Sequence, residues 1–279
     1  MTIVVTGATG HLGRLTIQSL LARGVPASEI VGLGRQIDKI ADLGVGLKQV
    51  SYEDPAGLRD AFEGAGKVLF ISGSEVGRRI EQHRNVVDAA KAANVGLIAY
   101  TSIPHADTSD MTLAVEHRAT EQMLTESGLP TVFLRNSWYT ENYDIKQAIE
   151  HGMFGAAGNG KISAAPRADF AEANAAVLTT DGHPGKVYEL GGTAFTLSEL
   201  AAEIARQSGK PVTYTDLGEE KYREMLVGVG LPEAAAAVYA DSDRAASQGA
   251  LFVPTADMEA LLGRPATPVA TWVAAALKA

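Results

Sequence analysis

Residues Thr2 to Gly13 read T-I-V-V-T-G-A-T-G-H-L-G, and this stretch decides the fold. Thr2 to Thr6 is a β-branched run long enough for one buried strand. Gly7, Gly10 and Gly13 follow it directly. Leu12, Leu15, Ile17, Leu20 and Leu21 then continue with helix-like apolar spacing as far as Arg23-Gly24. Strand, glycine turn and helix in that order form the first half of a dinucleotide-binding unit. The turn must be tight and its backbone must come close to a pyrophosphate, which favours residues without Cβ. The helix that opens near His11 then aims free N–H groups and its positive dipole end at that phosphate. Gly7, Ala8, Thr9, Gly10, His11, Leu12 and Gly13 are therefore the first candidates for cofactor contact. A glycine fingerprint alone is a weak signal, but this one has the strand before it and the helix after it that the motif requires.

Outward from that unit, apolar runs alternate with helical patterns to about residue 135. Ile30 to Leu33, Leu47 to Val50, Val68 to Ile71, Leu97 to Thr101 and Thr131 to Leu134 read as the second to sixth strands. Helical patterns lie between them at 37–43, 55–63, 77–94 and 112–127. Such alternation implies parallel strands joined by right-handed crossovers, hence a doubly wound, Rossmann-type α/β sheet. In the pattern at 77–94, Ile80, Val86, Val87, Ala90 and Ala93 form the stripe that packs on the sheet, and His83 and Arg84 fall on the surface. Beyond Asn136 the alternation loosens. Lys186 to Leu190 reads as a returning strand and Val212 to Thr215 as a short one. The segment 196–207 reads as a helix capped by Thr196 or Ser198, with Glu199 in its first turn. The expected division is a dinucleotide-binding domain over 1–135, with its last strand returned near 186–191. A smaller C-terminal substrate-covering lobe over 136–279 is interleaved with it.

Composition narrows the function. The 279 residues, 46% of them hydrophobic, support a sizeable core. A formal net charge of −9 argues against nucleic acid or an anionic membrane surface as the main partner. The absence of cysteine excludes thiol chemistry, disulfides and cysteine-based metal sites. The six histidines show no paired helical spacing, so no metal is expected. No secretory leader is visible and no apolar run reaches transmembrane length, so the expected location is the cytoplasm.

The end of the second strand speaks to cofactor choice. NAD-binding units usually carry an acid there to hold the ribose hydroxyls. Here the chain reads G-L-G-R, with Arg35 in that place and no acid before Asp38. An arginine attracts a 2′-phosphate and no carboxylate repels it, which favours NADPH. Three further strand ends face the same crevice: Ser72-Gly73-Ser74-Glu75, Thr101-Ser102, and Asn136-Ser137-Trp138-Tyr139 after Arg135. What is missing there is as informative. No Tyr-x-x-x-Lys occurs in the chain; Leu113 stands where that tyrosine belongs and His117 where the lysine belongs. Hydride transfer to a ketone makes an alkoxide whose conjugate acid has a pKa near that of water, about 15.7, so a positioned acid matters. Transfer to a quinone makes a phenolate-like anion, conjugate acid about 10 by analogy with tyrosine. A site without the tyrosine suits quinones or cationic dyes.

The Gly-x-x-Gly-x-x-Gly spacing resembles the atypical short-chain dehydrogenase/reductases. Several longer stretches narrow this: L-F-I-S-G-S-E-V-G-R-R-I-E-Q-H-R-N-V-V-D-A-A-K-A-A, I-A-Y-T-S-I-P-H-A-D-T-S, E-H-R-A-T-E, L-R-N-S-W-Y-T-E-N-Y, A-P-R-A-D-F-A and G-K-V-Y-E-L. Together they resemble the bacterial type 2 NADPH:quinone oxidoreductases of the NmrA-like group, relatives of the triphenylmethane reductases. The resemblance implies NADPH in the crevice and a small aromatic acceptor, quinone or cationic dye, stacked on the nicotinamide; a homodimer is one assembly it leaves open. Carried over residue by residue, it makes Gly7 to Leu12, Arg35, Ser72, Gly73, Ser74, Asn136, Ser137, Trp138, Tyr139, Thr140, Glu141 and Arg167 the cofactor-binding set. Thr101 joins them by position. The departures are Gly73, where Ser is expected, and Ser137, where Gly is expected. His117 and Tyr139 are the candidates for a catalytic role. Trp138 or Tyr139 walls the acceptor pocket while the other packs in the core. Tyr143 falls on the following helix, and Arg167 has no evident partner. The expected function is direct hydride transfer from NADPH to a quinone without flavin. The alternatives are an NADP(H)-binding redox sensor without turnover and a triphenylmethane dye reductase.

Overall fold

The computed structural model describes residues 1–278. Nine strands run in the order β1 (Thr2–Val5), β2 (Ile30–Gly34), β3 (Gly46–Gln49), β4 (Ala65–Phe70), β5 (Leu97–Ser102), β6 (Thr131–Asn136), β7 (Met153–Gly155), β8 (Val187–Leu190) and β9 (Tyr214–Asp216). The helices are α1 (His11–Ala22), α2 (Pro55–Phe62), α3 (Arg79–Ala92), α4 (Thr112–Ser127), α5 (Ile145–His151), α6 (Arg167–Thr179), α7 (Leu197–Ser208), α8 (Glu219–Gly228), α9 (Glu233–Ser247), α10 (Ala256–Leu262) and α11 (Val269–Ala276). Seven strands form one parallel sheet in the order β3-β2-β1-β4-β5-β6-β8. The order reverses between β1 and β4, which is where an open α/β sheet opens a crevice beyond its strand ends. The strand expected near 186–191 is β8, paired parallel to β6 with Asn136 opposite Leu190.

The central strands are buried on both faces and read as continuous apolar runs, while the edge strand β3 is mostly exposed. One face carries Ile3, Val5, Leu69 and Ala99 against Ile17 and Leu20 of α1 and Phe170 of α6. The other carries Val4, Val68, Phe70 and Tyr100 against Leu58 and Phe62 of α2, Val86 and Ala90 of α3 and Leu124 of α4. A third cluster, with Ile145, Leu197, Leu200, Ile204 and Trp272, holds the C-terminal elements together. There β7 and β9 pair as a separate two-stranded sheet. The cap of α7 is Thr196: its Oγ1 accepts from Glu199 N–H at 3.1 Å, and Glu199 Oε2 accepts from Thr196 N–H at 2.7 Å. No described helix is long and apolar enough to cross a membrane.

The helix expected over 37–43 is present as a 3₁₀ helix, Ile37–Leu43, ending at Gly44 with only Ile40 buried. Other expectations are corrected. Ile80, in the first turn of α3, is 40% exposed, whereas Val86, Val87 and Ala90 of the expected stripe are buried. Gln82 and His83, the latter expected on the surface, are buried as well. Tyr143 precedes α5 instead of lying on a helix. The helix α6, unassigned in the sequence, packs beside α1, where Asn174 Nδ2 donates to Thr16 Oγ1 at 3.2 Å.

One buried acid gives the lobe a pH response. Asp243 of α9 is 9% exposed and accepts from Ala156 N–H at 2.9 Å, just past β7. Burial pushes its pKa up to about 6, against the pull of that N–H. Its unfolded value is about 3.9. The folded form therefore holds its proton more tightly, and the stability this contributes is complete below about pH 4 and lost as pH rises through about 6. Asp243→Asn keeps an acceptor for Ala156. Thermal melting should show the variant level with the wild type at pH 4 and more stable by about 2–3 kcal/mol at pH 8. An equal difference at both pH values would show that Asp243 does not titrate.

Candidate functional site

The glycine turn is built by close backbone packing. Gly7 has φ +59°, a left-handed conformation that glycine adopts at little cost. Gly10 N–H donates to Gly7 O at 3.0 Å, and Ala8 N–H donates to Leu33 O at 2.9 Å, tying the turn to β2. A Cβ on Gly13 would lie 2.4 Å from Gly7 O and 2.7 Å from Ala8 Cα. The first turn of α1 thus lies directly on the loop. Gly10 caps α1 with no side-chain hydrogen bond, and no acid stands in the first turn. The opening N–H groups keep their capacity for an anion.

Beside the turn lies a cavity of about 660 Å³. Gly7, Thr9 and Gly10 line one side, and Gly34, Arg35, Gln36 and Lys39 the end beyond β2. Val50, Ser51 and Tyr52 come from the end of β3, Ile71 to Glu75 from the end of β4, and Gln82 from α3. Tyr52 anchors the wall. Its hydroxyl donates to Ile71 O at 2.6 Å and meets Thr6 Oγ1 at 2.5 Å, while Ile71 N–H donates to Thr6 Oγ1 at 3.0 Å. Burial raises the Tyr52 pKa, so the phenol stays neutral.

The loop after β4 is held from behind. Ser72 N–H donates to Thr101 Oγ1 at 3.0 Å. Gly73 N–H donates to His83 Nε2 at 2.9 Å, and Arg79 Nε donates to Gly73 O at 2.6 Å. Thr120 Oγ1 gives its proton to Glu116 O, at 2.8 Å, so His83 Nδ1 must be the donor in its 2.8 Å contact with Thr120. Burial first, and then the Arg79 charge, push the His83 pKa down to about 3. This explains a histidine inside the fold: both ring nitrogens are used, and the ring is neutral.

The second strand-end cluster follows β6. Asn136 is 4% exposed and donates from Nδ2 to Tyr139 Oη at 3.3 Å. Among the described residues, Asn136 Oδ1 and Ser102 Oγ are buried without a hydrogen-bond partner. Trp138 and Tyr139 diverge. Trp138 packs on the C-terminal cluster and edge-on to Tyr239, with ring centroids 6.3 Å apart. Tyr139 packs toward the sheet against Phe170, 5.2 Å between centroids. Arg167 has the partners its sequence context hid: its guanidinium lies 4.4 Å from the Tyr139 ring centroid, Nη2 donates to Asn142 Oδ1 at 3.1 Å, and its N–H donates to Glu141 Oε1 at 2.9 Å. The Ser137 hydroxyl donates to Leu251 O at 3.0 Å, and Thr140 is buried with its hydroxyl turned to Glu141.

A cavity at the switch point with a glycine turn under it suits a dinucleotide. The family model described as NAD(P)H-binding matches residues 7–181. The chain belongs to this NAD(P)H-binding family. Its branch is that of the type 2 quinone oxidoreductases and triphenylmethane reductases. It is 51% identical to quinone oxidoreductase 2 of Escherichia coli strain K12 over 275 residues, 96% of either chain. The crystal structure of the NADPH-dependent quinone oxidoreductase of E. coli complexed with NADPH superposes with a TM-score of 0.96 at 49% identity, covering 99% of this chain and 100% of that one. Citrobacter sp. triphenylmethane reductase complexed with NADP(H) superposes at 0.93 and 38% identity, covering 99% and 100%.

Within this NAD(P)H-binding chain, the sequence candidates separate into groups. Gly7, Thr9, Gly10, Arg35, Ser72, Gly73 and Ser74 line the cavity. Gly13, Thr101 and the buried Ala8 and Leu12 shape it from behind, and His11 is exposed at the start of α1. Asn136 to Glu141 and Arg167 form their own cluster after β6. His117 is 5% exposed and fully engaged: Nδ1 meets Tyr100 Oη at 2.8 Å, and Nε2 faces Arg79 Nη1 at 3.3 Å. Burial first, and then Arg79, hold its pKa well below the ordinary value. It is a neutral link between β5 and α3, which leaves no free ring nitrogen for a ligand. Sequence reasoning missed Tyr52, Gln36 and Gln82. The strand-end rule that found Ser72 applies to Tyr52 equally, since it lies three residues past β3.

Proposed function

We propose that this protein is an NADPH-dependent quinone oxidoreductase that reduces a small aromatic acceptor directly, without flavin. The observation that carries it is the dinucleotide-type cavity with a cation beyond β2, in a chain that lacks a Tyr-x-x-x-Lys acid. Bound NADPH would supply a hydride, which leaves with its electron pair for the acceptor. The residues fit that cofactor: the close Gly7–Gly13 approach leaves the pyrophosphate free N–H groups, and Arg35 and Lys39 suit a 2′-phosphate. The unpartnered Asn136 Oδ1 and Ser102 Oγ would take up polar groups at the reactive end. Trp138 and the 136–279 lobe would cover the acceptor and exclude water. A quinone's reduced form needs no strong acid, which matches a neutral His117 and a half-buried Tyr139 whose pKa is raised. The E. coli relative, an NADPH-dependent quinone oxidoreductase, supports the acceptor class, and the Citrobacter relative extends it to dyes.

Purified protein should oxidise NADPH with 1,4-benzoquinone and show no flavin absorbance. Stoichiometric bound flavin, or no turnover across a panel of quinones and triphenylmethane dyes, would overturn this reading. Arg35→Ala tests the phosphate contact. A charge-assisted hydrogen bond is worth about 1.5–3 kcal/mol, so NADPH should bind about one to two decades more weakly. NADH lacks the phosphate and should change little. Equal losses for both cofactors in paired titrations would mean that Arg35 supports the fold or the adenine instead.

A further inference from the structure

Glu75 and Arg35 both line the cavity, yet they leave different strands, β4 and β2, with β1 between them. Their contact, Arg35 Nη1 to Glu75 Oε1 at 2.8 Å, therefore reaches across the strand-end crevice. The carboxylate uses its two oxygens differently. Oε1 holds Arg35, while Oε2 accepts from Gln82 Nε2 at 3.2 Å and Arg78 Nη1 at 3.3 Å. Glu75 can release Arg35 and still keep two partners. No acid on the end of β2 takes that role, so the acid facing Arg35 is supplied from the opposite side of the crevice.

We propose that Glu75 is a specificity-determining residue: an internal rival of the 2′-phosphate for Arg35 that limits how strongly the protein prefers NADPH to NADH. The proposal rests on the reading that Arg35 takes the 2′-phosphate. A phosphate monoester brings about −1.5 to −2 charges to a guanidinium that already has a carboxylate. Binding must displace Glu75 toward Arg78 and Gln82 and then tolerate two like charges close together. NADH makes no such demand. Its ribose 2′-hydroxyl can donate to the carboxylate while Arg35 stays paired, so the side chain that weakens one cofactor accommodates the other.

The test uses 2′,5′-ADP and 5′-AMP, which differ only by the 2′-phosphate, titrated calorimetrically onto the wild type, E75Q, R35A and the double variant. E75Q should bind 2′,5′-ADP about two- to fivefold more tightly, the range expected for removing one partly exposed ionic competitor. It should bind 5′-AMP no more tightly than the wild type does. The gain should vanish in the R35A background, because Glu75 acts through Arg35, and should shrink in about 0.5 M salt. Unchanged 2′,5′-ADP affinity in E75Q, an equal change for both nucleotides, or a gain that survives R35A would each overturn the proposal. If instead the wild type does not distinguish the two nucleotides and R35A changes nothing, the Arg35 reading itself fails, and this inference with it.

Discussion

Gly13→Ala should lose about two decades of NADPH affinity while leaving the sheet folded. The added methyl would meet Gly7 O at 2.4 Å and Ala8 Cα at 2.7 Å, and both are backbone atoms that cannot rotate away. Relief requires α1 to move off the turn by about an ångström, the scale of misplacement that costs about 10²-fold at a positioned site. That movement carries the first N–H groups of α1 away from the loop at Gly7 to Gly10. Helix propensity works the other way, since alanine is favoured over glycine by about 1 kcal/mol in a helix interior. Stability should therefore fall less than binding does. The measurement is a thermal melt with and without saturating NADPH. The wild type should gain several degrees on adding cofactor and the variant almost none. An unchanged cofactor-induced shift would show that the turn tolerates a side chain and that the third glycine is incidental.

How much of this was legible in the sequence follows from the length scale of each signal. The turn at Gly7 to Gly13 was legible because strand, turn and helix are adjacent in the chain. The strand ends at Ser72 and Asn136 were legible because a parallel sheet puts its sites at carboxyl ends. His83 was not. Gln82-His83-Arg84 reads as a polar surface, and only Gly73 and Thr120, brought from two other elements, turn His83 inward. Helix α6 escaped for the opposite reason. Phe170, Ala171, Ala173, Asn174, Ala175, Ala176, Val177 and Leu178 are all buried, so no polar face remains to give a helical period. The Arg35–Glu75 pair spans 40 residues, and nothing in either local sequence reports it.

Arg135 shows the same limit with a larger energetic consequence. It lies in β6 one residue before Asn136, and only 7% of it is exposed. Nη2 donates to Glu121 Oε2 at 2.7 Å and Nε to Glu121 Oε1 at 3.0 Å, a two-pronged pair; Nη1 donates to Glu189 Oε1 and to Asp107 Oδ1, both at 3.0 Å. Burial disfavours the guanidinium charge, but the hydrogen bonds from it to Glu121 and Glu189 more than offset this, so its pKa is raised. Arg135→Met fills similar space and removes the charge. It leaves the buried Glu121 carboxylate facing Glu189 with no counterion. Breaking a buried pair from one side costs about 3–5 kcal/mol, and at about 2–4 °C per kcal/mol for a chain of this size the melting temperature should fall by about 6–20 °C. Replacing the acids as well, as Arg135→Met with Glu121→Gln and Glu189→Gln, should recover most of the loss at pH 8, because no buried charge would then lack a partner. A single variant that melts with the wild type at pH 8, or a triple variant no more stable than the single one, would show that the cluster is solvated and that β6 is held in place by its apolar neighbours Val132 and Leu134 instead.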